Sequence, residues 1–343
     1  MRAVCLDGGF GLDRLQVQER STPACAPGQV LLRMRAASLN YRDLMMVRGE
    51  YNPRQPLPLI PLSDGVGEVV ELGPGCSRFS MGQRVAGLFA QEWQAGPLTL
   101  EARASTLGGP RDGMWAEELV LPESGLVEVP EYLSDEEAAC LPCAALTAWN
   151  ALMEHGRLRA GDRVLLLGTG GVSLFALLFA KMAGAQVCIT SSSDAKLARA
   201  EELGADYTIN YREHEAWGRM VRKWAGGGGV DHVVEVGGGA TLAQSLEALR
   251  PEGGVYVIGV LGGVSAKVPL TSILMKQAHV HGIFVGHRAM FESMTRAMED
   301  HRIHPVIDRV FGFEQAREAF EYLQSATHFG KIVVRLNGNQ KEV

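Results

Sequence analysis

The stretch Val164-Leu165-Leu166-Leu167-Gly168-Thr169-Gly170-Gly171-Val172-Ser173 decides the fold. Its four apolar residues suit a strand covered on both faces, the glycines turn the chain, and an apolar helix follows to about Ala183. Gly168 permits the tight turn and Gly170 lets the backbone approach a pyrophosphate, whose charge the helix N-terminal amides of Gly171 and Val172 are expected to bind. Ser173 stands where a dinucleotide fingerprint has its third glycine. The same grammar repeats downstream: residues 186–191 lead into a helix to Leu203, residues 230–238 into a helix to Leu249, and residues 254–260 follow. Apolar strands alternating with helices predict an α/β fold with a doubly wound parallel sheet.

Upstream the pattern is different. Residues 30–39, 65–73, 83–89 and 115–122 are β-branched or alternating pieces bounded by Gly and Pro, so the first part of the chain reads as β-rich. Ser134-Asp135-Glu136-Glu137 is a capping box that starts a helical stretch, Pro142 interrupts it, and a second helical run is expected from Ala144 to about Leu158. Near the end, Ala316, Ala319, Phe320 and Leu323 mark an amphipathic helix before a strand at 331–335. The polar tail 337–343 is expected to fray.

Composition narrows the function. The 343 residues carry 33 Lys+Arg against 39 Asp+Glu, a net charge of −6, and mean hydropathy is +0.02. That balance is unlike a disordered chain or a membrane bundle, and the length suits two domains. There is no basic run to bind nucleic acid. The uncharged run 164–180 contains three glycines and is too short to span a bilayer, so no membrane association is expected. The opening residues have no apolar core of a secretory signal. Six cysteines are too few to staple a chain of this size, and a cytoplasmic location is expected.

The coenzyme type depends on the end of the second strand of the sheet. It reads Thr190-Ser191-Ser192-Ser193, with no acid before Asp194 to accept ribose hydroxyls and repel a 2′-phosphate. Ser191, Ser192 and nearby Lys196 suit that phosphate and favour NADPH over NADH. The same serines also suit capping of the next helix, and Asp194 is an unfavourable neighbour for a phosphate.

Six motifs occur in a telling order: SLNYRD (38–43), PLSDGVGEVVELG (61–73), LPCAALTAW (141–149), GTGGVS (168–173), ELGAD (202–206) and HFGKIVV (328–334). With them the chain resembles the medium-chain dehydrogenase/reductase superfamily over nearly its whole length, and is most similar to the zinc-free branch of quinone oxidoreductases and enoyl reductases. The resemblance implies a GroES-like catalytic domain over 1–146 and 285–343 and a Rossmann dinucleotide-binding domain over 147–284. It implies coenzyme contacts from Asn40, Tyr41, Thr147, Gly259, Phe284, Val285 and Lys331 besides the glycine turn, with residues 282–286 as a strand passing the carboxamide. Lys196 and Tyr211, in Ile209-Asn210-Tyr211, match the family's 2′-phosphate ligands.

No metal is expected. Where the zinc branch has its first Cys ligand this chain has Asn40, and Leu62-Ser63-Asp64 replaces Gly-His-Glu; only Cys143 stands at a third ligand position, while a catalytic zinc needs three. Residues 79–121 contain no Cys, so the structural zinc lobe is missing as well. Cys140 and Cys143 read as a buried pair at a helix start. Hydrogen-bond donors must then activate the acceptor, and Tyr51 and Asn40 are the catalytic candidates, with Tyr41 and Asp43 shaping the same loop. Tyr51 resembles the tyrosine proton donor of enoyl reductases and also reads as a packing residue at a turn. Lys331 either reaches the coenzyme or begins a solvated edge strand; His279, His281 and His287 read as structural.

The expected activity is NADPH-dependent, zinc-independent hydride transfer to a quinone or an α,β-unsaturated carbonyl. The alternatives are an NADP-dependent alcohol dehydrogenase or carbonyl reductase and, from another class, a non-catalytic nucleotide-binding sensor or structural protein. A homodimer is expected, because the last sheet strand, somewhere in 255–285, leaves an unpaired apolar edge.

Overall fold

A computed structural model describes residues 1–336; the expected fraying of 337–343 lies outside the described residues. The chain divides into two units, Met1–Leu146 together with the chain from Gly286, and Thr147–Val285.

The β-rich start forms strands β1 (Arg2–Leu6), β2 (Leu15–Glu19), β3 (Gln29–Leu39), β4 (Asp64–Leu72), β5 (Arg84–Gly87), β6 (Glu118–Pro122) and β7 (Leu126–Glu128). The second unit contributes β8 (Arg163–Leu167), β9 (Gln186–Ser191), β10 (Tyr207–Asn210), β11 (Val230–Glu235), β12 (Leu249–Val257) and β13 (His279–Gly282). They form one parallel sheet in the order β10-β9-β8-β11-β12-β13. The order reverses between β8 and β11, which is where an open α/β sheet leaves a crevice at its carboxyl ends. Leu165, Val233 and Val255 are fully buried, because helices cover the sheet and leave its apolar strands no polar face.

The chain then returns with β14 (Ile307–Gly312) and β15 (Lys331–Arg335), which complete a seven-stranded sheet in the order β14-β15-β3-β4-β5-β7, with β6 on β3. The helix Ala316–Gln324 buries Ala316, Ala319, Phe320 and Leu323, the stripe visible in the sequence. Its Phe320 meets Trp115, whose indole N–H donates to the Phe313 carbonyl at 3.1 Å.

Three expectations are corrected. Lys331 does not begin a solvated edge strand: β14 pairs in parallel with β15 on one side and β3 antiparallel on the other, so the lysine is buried at 3% exposure. The helix Asp135–Ala138 does end just before Pro142, but the next helical segment starts at Leu141 and not at Ala144, because Pro142 fits its first turn, where a missing N–H costs nothing. Helical structure continues through Leu146–Trp149 and Asn150–His155 and stops short of Leu158. Finally, the strand expected at 282–286 ends at Gly282; one further amide, Ile283 N–H, donates to the Val257 carbonyl before Val285 turns the chain at φ 42°. Among the described residues no helix is long and apolar enough to cross a membrane.

Candidate active site

The residues singled out by sequence gather in two places, one in each unit. In the first unit β3 ends at Leu39 and the helix Tyr41–Val47 begins, with Asn40 between them. The Asn40 backbone N–H donates to Asp43 Oδ2 at 2.9 Å, so Asp43 closes the helix start and leaves the Asn40 amide for other partners. Asn40 Oδ1 accepts from Lys331 Nζ at 2.6 Å and its Nδ2 donates to Ser63 Oγ at 3.3 Å. Ser63 Oγ donates onward to Asp43 Oδ1 at 3.1 Å. Lys331 Nζ also donates to the Leu39 carbonyl at 2.8 Å and lies 3.7 Å from Asp64 Oδ2, which accepts from Ser38 Oγ.

Lys331, Asp43 and Asp64 are therefore a buried charge cluster. Burial pushes the Asp64 carboxyl up to about 6, against the pull of the Lys331 ammonium, and burial likewise raises Asp43 against Arg42. Asp64 Oδ1 has no hydrogen-bond partner, a costly state for a buried anionic oxygen and a cheaper one once protonated.

Tyr51 lies on the surface of this unit, 44% exposed, with its ring 4.8 Å from the Arg42 guanidinium carbon. Arg42 is fixed in turn, donating to the carbonyls of Leu107 at 2.6 Å and Gly109 at 2.9 Å. Tyr51 is thus held by a cation below its ring and is not a core packing residue. Tyr41 begins the adjacent helix and is 38% exposed.

The donor set does not fit a zinc ion. Asn40 and Ser63 hydrogen-bond each other, and the Lys331 ammonium already supplies the positive charge beside Asp64. Burial pushes the Cys140 thiol up to about 12 and raises the Cys143 thiol as well. Among the described residues no three His, Cys, Asp or Glu converge as a metal site.

The second unit carries the glycine turn. Gly168 has φ 71°, a left-handed conformation that favours glycine, and a Cβ at Gly168 or Gly170 would meet no atom within 4 Å. The turn therefore presents open backbone ahead of the helix Gly171–Met182, which fits a pyrophosphate. Ser173 needs no glycine's space: its Oγ folds back and donates to the Leu167 carbonyl at 2.7 Å.

At the ends of β9 and β10, Asn210 pairs with Ser191, and Tyr211 N–H donates to the Ser191 carbonyl at 3.0 Å. This brings Ser191, Ser192 and the 43% exposed Tyr211 to one corner of the sheet. Ser193 caps the helix Asp194–Glu202 through Lys196 N–H, so capping falls to the third serine and not to Ser191 or Ser192. Asp194, the unfavourable neighbour, accepts from Asn210 Nδ2 at 2.8 Å.

Sequence reasoning missed two supporting residues, Glu235 and Asn150. Glu235, fully buried at the end of β11, accepts from Gly237 N–H at 2.8 Å, Gly238 N–H at 2.9 Å, Thr241 Oγ1 at 2.6 Å and Ser245 Oγ, pinning the glycine-rich turn that follows. An acid closing an apolar strand before three glycines was the available signal. Gly259 faces that turn so closely that a Cβ would sit 2.4 Å from the Val236 carbonyl oxygen. Asn150, buried, donates to the Val285 carbonyl at 2.9 Å and supports a β-branched residue at positive φ. Thr147 is buried and Phe284 partly so. His281 stacks with Tyr256 and His279 and meets His155 at a tilt, and His287 accepts from Met290 N–H as a helix cap.

Asp64 gives a pH prediction. Its folded value, about 6, lies above its ordinary 3.8, so the folded state binds the proton more tightly. Stability should rise as pH falls from about 7 to about 4 and drop as pH rises through about 6, by about 2 kcal/mol. Urea unfolding at both ends of that window should show a steeper slope in the wild type than in Asp64→Asn, where the raised Asp43 alone keeps the same sign; equal slopes would refute the assignment.

Comparison with known proteins agrees with this architecture. An alcohol dehydrogenase GroES-like domain matches residues 26–131 and a zinc-binding dehydrogenase domain matches 171–300. A zinc-type alcohol dehydrogenase-like protein of Schizosaccharomyces pombe is 44% identical, covering 98% of this chain and 99% of its own. The crystal structure of an NAD-dependent alcohol dehydrogenase superimposes with a TM-score of 0.90 at 33% identity, over 98% of this chain and 100% of that one. A mouse (Mus musculus) quinone oxidoreductase-like protein 2 is 28% identical over 94% of this chain and 89% of its own. The chain belongs to the medium-chain dehydrogenase/reductase superfamily and is an oxidoreductase.

Proposed function

We propose that the protein is an NADPH-dependent reductase of quinones or α,β-unsaturated carbonyls that works without zinc. The observation that carries this reading is the Lys331 ammonium, buried against Asn40 and Asp64 where the zinc branch would coordinate its metal. When bound, the coenzyme supplies a hydride from its nicotinamide ring. Gly168, Gly170, Gly171 and Val172 would hold its pyrophosphate, and Ser191, Ser192, Lys196 and Tyr211 its 2′-phosphate. Tyr41, Thr147, Gly259, Phe284, Val285 and Lys331 complete the proposed coenzyme contacts.

The protein's own chemistry is hydrogen bonding to the acceptor oxygen. Lys331 holds Asn40 Oδ1, which turns the amide so that Nδ2 is the donor, bonded to Ser63 at 3.3 Å. Tyr51 supplies a proton from an exposed hydroxyl above the Arg42 cation. One such donor typically stabilises a developing oxyanion by about 3–4 kcal/mol. That suits conjugated acceptors, which spread the incoming charge, better than saturated alcohols, whose oxidation needs a stabilised alkoxide. The relatives' names favour a second reading, reduction of simple aldehydes and ketones.

Further parts of the proposal follow from surface and composition. Strand β13 is a sheet edge, with Val280 on it 44% exposed and Leu270, Leu274 and Met275 nearby more than 70% exposed. A second copy pairing along that edge would cover it, giving a homodimer. Six free thiols suit a reducing cytoplasm, and the charge balance offers nothing to nucleic acid or membrane.

Steady-state kinetics with a quinone, an enone and an aldehyde test the chemistry. Lys196→Ala should raise KM for NADPH by about tenfold or more and leave that for NADH unchanged, and Tyr51→Phe should lower kcat with the enone by about tenfold. Equal effects on both coenzymes would exclude the phosphate role, and full activity of Tyr51→Phe would exclude the proton donor. Preference for the aldehyde would select the second reading, and tight NADPH binding without turnover would mark a sensor. Light scattering on the eluting protein should give twice the chain mass; a monomer would refute the edge pairing.

A further inference from the structure

Two of the six cysteines meet at one oxygen. Cys25 Sγ lies 2.9 Å from the Gln29 carbonyl oxygen and Cys76 Sγ lies 3.2 Å from the same atom, so the two sulfurs are at most about 6 Å apart. Both residues are partly exposed, while Cys5, Cys140 and Cys188 are buried.

The backbone holds the two loops together independently of the thiols. Gly28 N–H donates to the Pro74 carbonyl at 2.9 Å and Gly73 N–H to the Gln29 carbonyl at 2.8 Å. At Gly73 a Cβ would fall 2.1 Å from the Ala26 carbonyl oxygen, a backbone approach that glycine alone allows. The Gln29 carbonyl thus faces three donors with two lone pairs, and two of those donors are weak S–H groups. Removing both thiol protons leaves the oxygen satisfied by Gly73 N–H, so oxidation strands no polar group.

We propose that Cys25 and Cys76 are a redox-sensitive dithiol, closed to a disulfide by a low-molecular-weight disulfide such as oxidised glutathione. Cys25 attacks and Cys76 resolves, roles that can be exchanged without changing the products. The Cys25 thiolate attacks one sulfur of oxidised glutathione, its S–S bond breaks and one glutathione leaves. The Cys76 thiolate then attacks the Cys25 sulfur of the mixed disulfide and expels the second glutathione. Two protein thiols are oxidised to one disulfide, one glutathione disulfide is reduced to two thiols, and the two protons end on the released glutathione. In a reducing cytoplasm such a bond is transient, as expected of a sensor rather than a structural staple.

The bond would close a loop containing Asn40, Tyr51, Ser63 and Asp64, tying the start of β3 to the end of β4, the ends of these strands away from the charge cluster. Cross-linking a loop of this length restricts the unfolded chain, so the thermal midpoint should rise on oxidation, by about 5 °C.

The test treats the full chain with oxidised glutathione, alkylates the remaining thiols and maps the peptides by mass spectrometry. A Cys25–Cys76 cross-linked peptide that dithiothreitol reverses is expected, together with a single glutathione adduct on the remaining cysteine in Cys25→Ser and in Cys76→Ser. Wild-type protein carrying glutathione separately on both residues, or unmodified at both, would overturn the proposal, as would a cross-link that lowers the thermal midpoint.

Discussion

A lysine ammonium buried at 3% exposure needs partners, and the first unit is arranged to give Lys331 three: the Leu39 carbonyl, the Asn40 amide oxygen and the Asp64 carboxylate. Leaving any one of these charges alone in that interior would cost several kcal/mol, so the cluster stands or falls as a set. Its geometry depends on the sheet. β15 runs antiparallel to β3 with Ile332 opposite Leu39, which sets Lys331 beside Asn40, and β3 pairs with β4 so that Ser38 lies opposite Asp64. The orientation of the Asn40 amide is thereby a consequence of strand register.

The second unit uses backbone where the first uses charge. Gly168 and Gly170 leave an open main-chain surface, Ser173 satisfies the last carbonyl of β8, and Glu235 gathers four donors to hold the turn beyond β11. The first leaves main-chain polar groups open, and the second satisfies a strand carbonyl from within. The third is a fully satisfied buried carboxylate, which favours rigidity of a glycine-rich segment that would otherwise carry much conformational freedom.

The sequence made the parallel sheet, the glycine turn, the capping box at Ser134 and the stripe of the helix Ala316–Gln324 legible, because each is a local pattern with its own period or cap. It did not reveal the burial of Lys331, which depends on β14, a strand interrupted by Asp308 and Arg309 and so lacking an apolar signature. β10 was also missed, since Tyr207–Asn210 is too short to show alternation. The support of Val285 by Asn150 joins residues far apart in the chain, and no spacing rule connects them. For the site, the residue types were readable while their mutual bonds were not: Asn40 and Ser63 stood out as departures from a metal-binding pattern, and the ammonium that accompanies those departures emerged only from the fold.

The central claim is that the cation beside Asn40 and Asp64 belongs to Lys331 and not to a metal. Elemental analysis of the purified protein, combined with NADPH oxidation before and after chelation, tests it most directly. Zinc far below one atom per chain with turnover unchanged by the chelator is expected; one tightly held zinc per chain, whose removal abolishes turnover, would contradict it.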